Sequence, residues 1–136
     1  MSLEMVKSIV TSVVVVLALV QALEMAQIRG YVRLLPFDKR ALRKFHRRGG
    51  IAVLALMLVV AVICLVGEGY VLYTLRVCTH VVLGVLSLLI LAAKVTITHR
   101  FRHYLRFNTG LGVAVGVLIL GTFASSALWY FVVSPW

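Results

Sequence analysis

Four long apolar stretches constrain this chain more than any other feature of its sequence. A helix needs roughly 20 apolar residues to cross a hydrocarbon layer about 30 Å thick, and such stretches lie near positions 6–28, 49–66, 73–97 and 107–133. Only 13% of the residues are charged, whereas soluble domains carry about 25%. The sequence therefore predicts an all-α, integral-membrane, up-down four-helix bundle, with positions 1–136 forming a single transmembrane domain.

The basic residues are concentrated between the first and second stretches and around the end of the third. Of the fourteen Lys and Arg residues, all but Lys7 and Arg76 lie in these two regions. Cytoplasmic loops of membrane proteins carry an excess of Lys and Arg, so this end is predicted to face the cytoplasm. Both termini would then lie on the non-cytoplasmic side of the cell inner membrane. Anionic lipid headgroups, rather than nucleic acid, are the expected partners of these cations.

The first span carries three polar residues in its second half. Gln21, Glu24 and Gln27 recur at three-residue spacing, which places them on roughly one stripe of a helix. A carboxylate at this depth must face protein or water rather than lipid. Two interpretations of Glu24 follow: a structural pairing with a nearby cation, for which Lys94 has a similar depth, or a role in proton handling.

Two histidines are predicted to meet at the basic end of the bundle. His46 follows Asp38, a suitable N-cap for a short amphipathic turn, and opens the second span. His99 closes the third span at the same end, so the two imidazoles of antiparallel neighbours can face each other. Such a pair can ligate haem iron from both sides, although interfacial histidines without a cofactor are the alternative. The cations that could receive the haem propionates are Arg47, Arg48, Arg100 and Arg102.

Glycine follows a histidine at four-residue spacing in two places. His46 precedes Gly50 and His80 precedes Gly84, and a glycine on the same helix face leaves room for a flat macrocycle. His80 stands about 28 Å along the helix from His99, so the two cannot share an iron. It is predicted either to ligate a second haem or to bond to a backbone carbonyl or a quinone-like headgroup.

His103 offers an alternative to His99. It lies four residues further along the chain and therefore on nearly the same face. It is either the partner of His46 or a solvated loop residue. His99 is preferred because it lies closer to the apolar stretch.

Two segments carry a resemblance to a known family. With HRRGG opening the second span and RVCTHVVLGVLSLLILAAKV in the third, positions 42–116 resemble small bacterial transmembrane b-type cytochromes of the ferric-reductase-like kind. The family pattern also has a His directly before a Cys, where this chain has Ile63 before Cys64. The resemblance implies a haem at His46 and leaves His80 without its usual partner. The matching positions are His46, Arg47, Gly50, Arg76, His80, Gly84 and Lys94.

Two functions are predicted from these features. The first is a membrane b-type cytochrome, an electron-transfer subunit rather than a stand-alone enzyme, with one haem b between helices two and three and a second haem at His80 left open. It would exchange electrons with quinone or a partner protein. The alternative is a cofactor-free accessory or structural subunit of a larger respiratory or photosynthetic membrane complex. Its docking face, toward other subunits or a second copy, would be a small-residue stripe formed by Gly110, Gly112, Gly116 and Gly121.

Overall fold

The computed structural model describes residues 2–68 and 74–133 and is all-α in that part of the chain. The long helices are α1 (Leu3–Ile28), α2 (Lys39–Glu68), α3 (Leu75–His99) and α4 (Asn108–Phe123). A 3-10 helix (Arg102–Phe107) precedes α4, and a π-helical turn (Ala124–Leu128) followed by α5 (Trp129–Val133) continues it. Four helical segments are long and apolar enough to cross a membrane. The predicted all-α fold is confirmed, and its four long apolar helices suggest a multi-pass membrane protein. The predicted start of the third span at position 73 lies outside the described residues.

The helices run up and down around a ring. α1 packs chiefly on α2 and α3 on α4, while α1 with α4 and α2 with α3 make smaller interfaces. Contacts between the beginning of one helix and the end of another show that these neighbours are antiparallel. The contacts join Leu3 with Gly67, Arg29 with Thr109, Arg47 with His99, and Arg76 with Ser125.

The middle of the bundle is a small apolar core to which all four long helices contribute. Val14 of α1, Val53 of α2 and Leu91 of α3 meet Val115 and Ile119 of α4, and each is almost completely buried. Most other apolar side chains point outward, as expected for helices that face lipid. The core fixes the rotation of each helix and thereby decides which polar side chains turn inward.

The first helix ends in a Schellman motif. Gly30 adopts a left-handed conformation with φ of 86°, and its N–H donates to the carbonyl of Gln27. The next N–H, of Tyr31, donates to the carbonyl of Ala26. Glycine suits this position because it adopts positive φ without a steric cost. The helix therefore ends at Ile28, the position where the first predicted span ends.

The second helix begins earlier than the apolar stretch. Asp38 caps it, since its Oδ1 accepts from the N–H of Ala41 at 3.1 Å, which confirms the predicted N-cap. The segment after Asp38 is however not a separate short turn. α2 continues unbroken from Lys39 to Glu68, so the basic segment is the first part of this long helix, and His46 lies on its inner surface.

Candidate functional site

Four polar side chains from three helices meet inside the bundle near its basic end. They form the interior cluster: Gln21 and Glu24 of α1, His46 of α2 and Lys94 of α3. Glu24 is only 7% exposed, and its Oε2 accepts a hydrogen bond of 2.8 Å from Nε2 of Gln21. The same oxygen lies 3.6 Å from Nδ1 of His46. The predicted stripe on α1 thus turns toward α2.

The imidazole of His46 is the least satisfied group of the interior cluster. Both ring nitrogens are buried, and neither has a hydrogen-bond partner among the described residues. The ring lies near the backbone of Gln21 as well, without the geometry of a hydrogen bond. Buried polar groups are nearly always paired in folded proteins. Glu24 gives Nδ1 an electrostatic contact at 3.6 Å, so Nε2 is the ring nitrogen that could accept a further partner.

Lys94 brings positive charge to the interior cluster from α3. It lies close enough to His46 to interact with it electrostatically. Its side chain extends along Gly112 of α4, where an added Cβ would come within 3.3 Å of the lysine Cε. In the described part of the chain no salt bridge joins Lys94 to Glu24, so the predicted direct pairing is not formed.

His99 contacts Arg47 rather than His46. Nη2 of Arg47 lies 3.1 Å from Nδ1 of His99. Neighbouring residues of a helix are about 100° apart around its axis, so when His46 turns toward α1, Arg47 turns toward α3. The two imidazoles of the predicted pair thus have different neighbours in this structure: His46 faces Glu24 and His99 contacts Arg47.

A cavity of about 450 Å³ opens beside this contact. We call it the basic cavity. It lies at the end of the bundle where α2 begins and α3 ends, and its arginine and lysine side chains are exposed. Its lining consists of Arg43, Lys44, Arg47, Arg48, Ile51 and His99.

The two histidine-glycine units face different helices. A Cβ on Gly50 would meet only Oε1 of Gln21, at 3.9 Å, and one on Gly84 would meet only Cγ2 of Thr122, at 4.0 Å. The first unit thus faces α1 and the second faces α4. No described side chain closely occupies the space beside either glycine, so both positions leave the room that the sequence predicts.

His80 contacts the junction between α4 and the π-helical turn that follows it. Its Nδ1 lies 3.3 Å from the carbonyl oxygen of Thr122 and 3.3 Å from Oγ of Ser125. Arg76, one turn earlier, donates to the carbonyl of Ser125 at 3.3 Å. These contacts surround the π-helical turn, where backbone carbonyls are less regularly paired. The backbone-carbonyl contact is one of the roles predicted for His80.

The remaining predicted residues lie on the surface of the basic end. His103 stacks on Tyr104 with ring centroids 3.8 Å apart, and both residues are exposed in the 3-10 helix. Arg100 and Arg102 are exposed on either side of its start. The structure shows no contact of His103 with His46 within the described residues.

A family model matches the chain over residues 1–136. The chain belongs to the DUF6529 family. That family is described as one of unknown function. Searches of curated proteins and of solved structures found no match.

Two features in and near the interior cluster of this DUF6529 protein were not predicted from the sequence. Gly49, rather than Gly50, is the glycine that admits Gln21, because a Cβ there would come within 2.9 Å of the Gln21 Cδ. Gln27 does not join the cluster with Gln21 and Glu24. Its side-chain amide is instead hydrogen-bonded to the backbone of Leu34 and Leu35 in the α1–α2 connection. The sequence shows both the Gly49–Gly50 pair and the polar stripe of α1. It does not show the helix rotation, which decides which glycine meets Gln21 and which polar side chain faces the cluster.

Proposed function

We propose that the protein is a membrane b-type cytochrome that carries haem b between α2 and α3 and serves as an electron-transfer subunit. One observation supports this most: both nitrogens of the His46 imidazole are buried without a hydrogen-bond partner in the described chain. A haem iron would supply that partner. When bound, haem b supplies reversible one-electron transfer between ferric and ferrous iron.

The surroundings of His46 fit this role. Ligating histidines usually turn their other ring nitrogen toward a carboxylate or carbonyl, and Nδ1 of His46 faces Glu24 at 3.6 Å. Gly50 leaves space on the same helix face. His99 remains the predicted second ligand, and its use would require the Arg47 contact to open. Arg47 and Arg100, with Arg48 and Arg102, would hold the propionates at the surface.

A second haem at His80 stays a prediction. The contact of its Nδ1 with the Thr122 carbonyl supports it, because this is how a ligating imidazole is commonly oriented. The electron donor and acceptor would be a quinone or another membrane subunit, since the bundle is built almost wholly of spanning helices. We place the protein in the cell inner membrane with its basic end in the cytoplasm and both termini outside.

The ligand assignment can be tested by haem content. The protein is purified in detergent from haem-replete cells, and haem per chain is measured as the pyridine haemochrome for the wild type, His46→Ala and His103→Ala. His46→Ala is expected to lose the inner haem, whereas His103→Ala retains it because that ring is exposed and lies against the neighbouring Tyr104 ring. Normal haem content in His46→Ala would refute His46 as the ligand.

A cofactor-free accessory subunit is the second candidate. It is favoured by the contacts that Glu24 already makes with Gln21 and His46 inside the bundle, which need no outside group. The predicted glycine stripe supports it less, because Gly112 faces Lys94 and Gly121 faces Leu83, while a Cβ on Gly110 or Gly116 would meet no described atom within 4 Å. This candidate predicts a colourless preparation.

A further inference from the structure

We propose that the basic cavity is a specific binding site for one anionic glycerophospholipid. This proposal does not depend on haem. It uses the Arg47–His99 contact as the structure has it, so His99 would not ligate haem while the lipid is bound. It differs from general attraction of a basic surface to anionic lipid, because it assigns one lipid molecule to one cavity between the beginning of α2 and the end of α3.

The charges of the cavity are arranged to surround a phosphate group. Arg43 and Arg47 lie one turn apart on α2, as do Lys44 and Arg48, so the four cations form two adjacent columns. No acidic side chain is among the described residues that line the cavity. Arginine binds phosphate oxygens through paired N–H donors, and lysine contributes a point charge.

His99 fixes one of these cations in place. Because arginine can only donate, Nδ1 of His99 accepts from the Arg47 guanidinium at 3.1 Å. This contact comes from α3, so the phosphate-binding group is held by both walls of the cavity. A guanidinium that is already positioned loses less conformational freedom when a ligand binds.

The depth of the cavity favours a lipid over a free anion. Arg43, Arg47 and Ile51 follow one another at four-residue spacing and so lie on one stripe of α2. Ile51 lies about 6 Å deeper along the helix than Arg47, and it is 46% exposed although it is apolar. A ligand with a phosphate above and an acyl chain below would cover both parts of the lining, whereas inorganic phosphate would cover only the cations.

The test measures lipid binding to the delipidated full-length protein by native mass spectrometry. Phosphatidylglycerol is titrated against the wild type, with phosphatidylcholine as the zwitterionic comparison. The first variant is Arg43→Gln/Lys44→Gln, since Arg47 and Arg48 are also proposed propionate partners. The matched control is Lys39→Gln/Arg40→Gln, which removes two cations one turn earlier on the same helix and outside the cavity. Haem content is recorded in parallel, so a failure of either proposal can be recognised separately.

The wild type is expected to bind one phosphatidylglycerol more tightly than phosphatidylcholine, and excess inorganic phosphate should not displace it. Arg43→Gln/Lys44→Gln should weaken this binding about tenfold, and the control should leave it unchanged. Equal weakening in both double variants would show diffuse surface charge and overturn the proposal. Equal binding of the two lipids by the wild type would also overturn it, whatever the variants do. Displacement by inorganic phosphate would identify a phosphate site without a lipid requirement.

Discussion

Glu24 is a buried acidic residue, and its carboxyl group needs compensating contacts inside the bundle. Its side chain lies inside a helix bundle, accepts a hydrogen bond from Gln21 and faces His46. A buried charge is tolerated when other charges and donors compensate it. Lys94 lies near His46 in the same cluster and makes no direct salt bridge with Glu24 in the described chain, so we expect it to contribute to that compensation through the cluster. The two residues should therefore be coupled in stability.

This coupling can be measured with paired substitutions. Glu24→Ala leaves Lys94 as an uncompensated cation and should lower the free energy of unfolding by about 2–3 kcal/mol. Adding Lys94→Met should restore part of the loss, because the second charge is then removed as well. Thermal unfolding in detergent, followed by circular dichroism, gives the comparison. Glu4→Ala is the control, since Glu4 is exposed; a double variant no more stable than Glu24→Ala would contradict the coupling.

At the scale of helices, the α1–α2 interface depends on which of two adjacent glycines meets Gln21. Gly50→Ala has room and should stabilise the helix by up to about 1 kcal/mol. Gly49→Ala would displace the Gln21 amide and break its hydrogen bond to Glu24. That loss costs about 1 kcal/mol and cancels the gain in helix stability from replacing glycine by alanine. Unfolding midpoints of the two variants in the same detergent test this order. Equal midpoints would mean that Gln21 moves freely.

The backbone of the connection between α1 and α2 is hydrogen-bonded by the side chain of Gln27. Gln27 is 7% exposed; its Nε2 donates to the Leu35 carbonyl at 2.7 Å, and its Oε1 accepts from the N–H groups of Leu34 and Leu35. Gln27→Ala should release this segment, so that trypsin cleaves after Arg33 faster than in the wild type. Thr11→Ala, on the same helix but remote from the connection, serves as control. Unchanged cleavage in Gln27→Ala would show that the segment is ordered by other contacts.

The elements themselves were largely predictable, and their rotation was not. Length and apolarity identify spans, and Asp38 is recognisable as a cap. Apolarity does not show where a helix extends beyond lipid, so α2 was predicted to begin near Gly49 although it begins at Lys39. The partner of His46 depends on helix rotation, which is fixed by core packing among distant residues such as Val53 and Leu91. Spacing along the chain alone therefore could not distinguish Glu24 from His99 as its neighbour.

For the whole molecule, the charge asymmetry predicts orientation. The basic end includes the first turns of α2 and the 3-10 helix before α4, and it should remain in the cytoplasm. Alkaline phosphatase fused after Trp136 should be active, and the same enzyme fused after Leu105 should be inactive. Green fluorescent protein at these two positions should give the opposite pattern. An active phosphatase at Leu105 would reverse the proposed orientation.

The cofactor decides between the two functions proposed for the bundle. The most direct measurement is the optical difference spectrum, dithionite-reduced minus air-oxidised, of the detergent-purified protein from haem-replete cells. Because His46 is proposed to ligate haem b, sharp b-type absorption bands should appear, at a haem content of at least about one per chain. A colourless preparation of folded protein, without such bands, would contradict the cytochrome proposal and favour the accessory subunit.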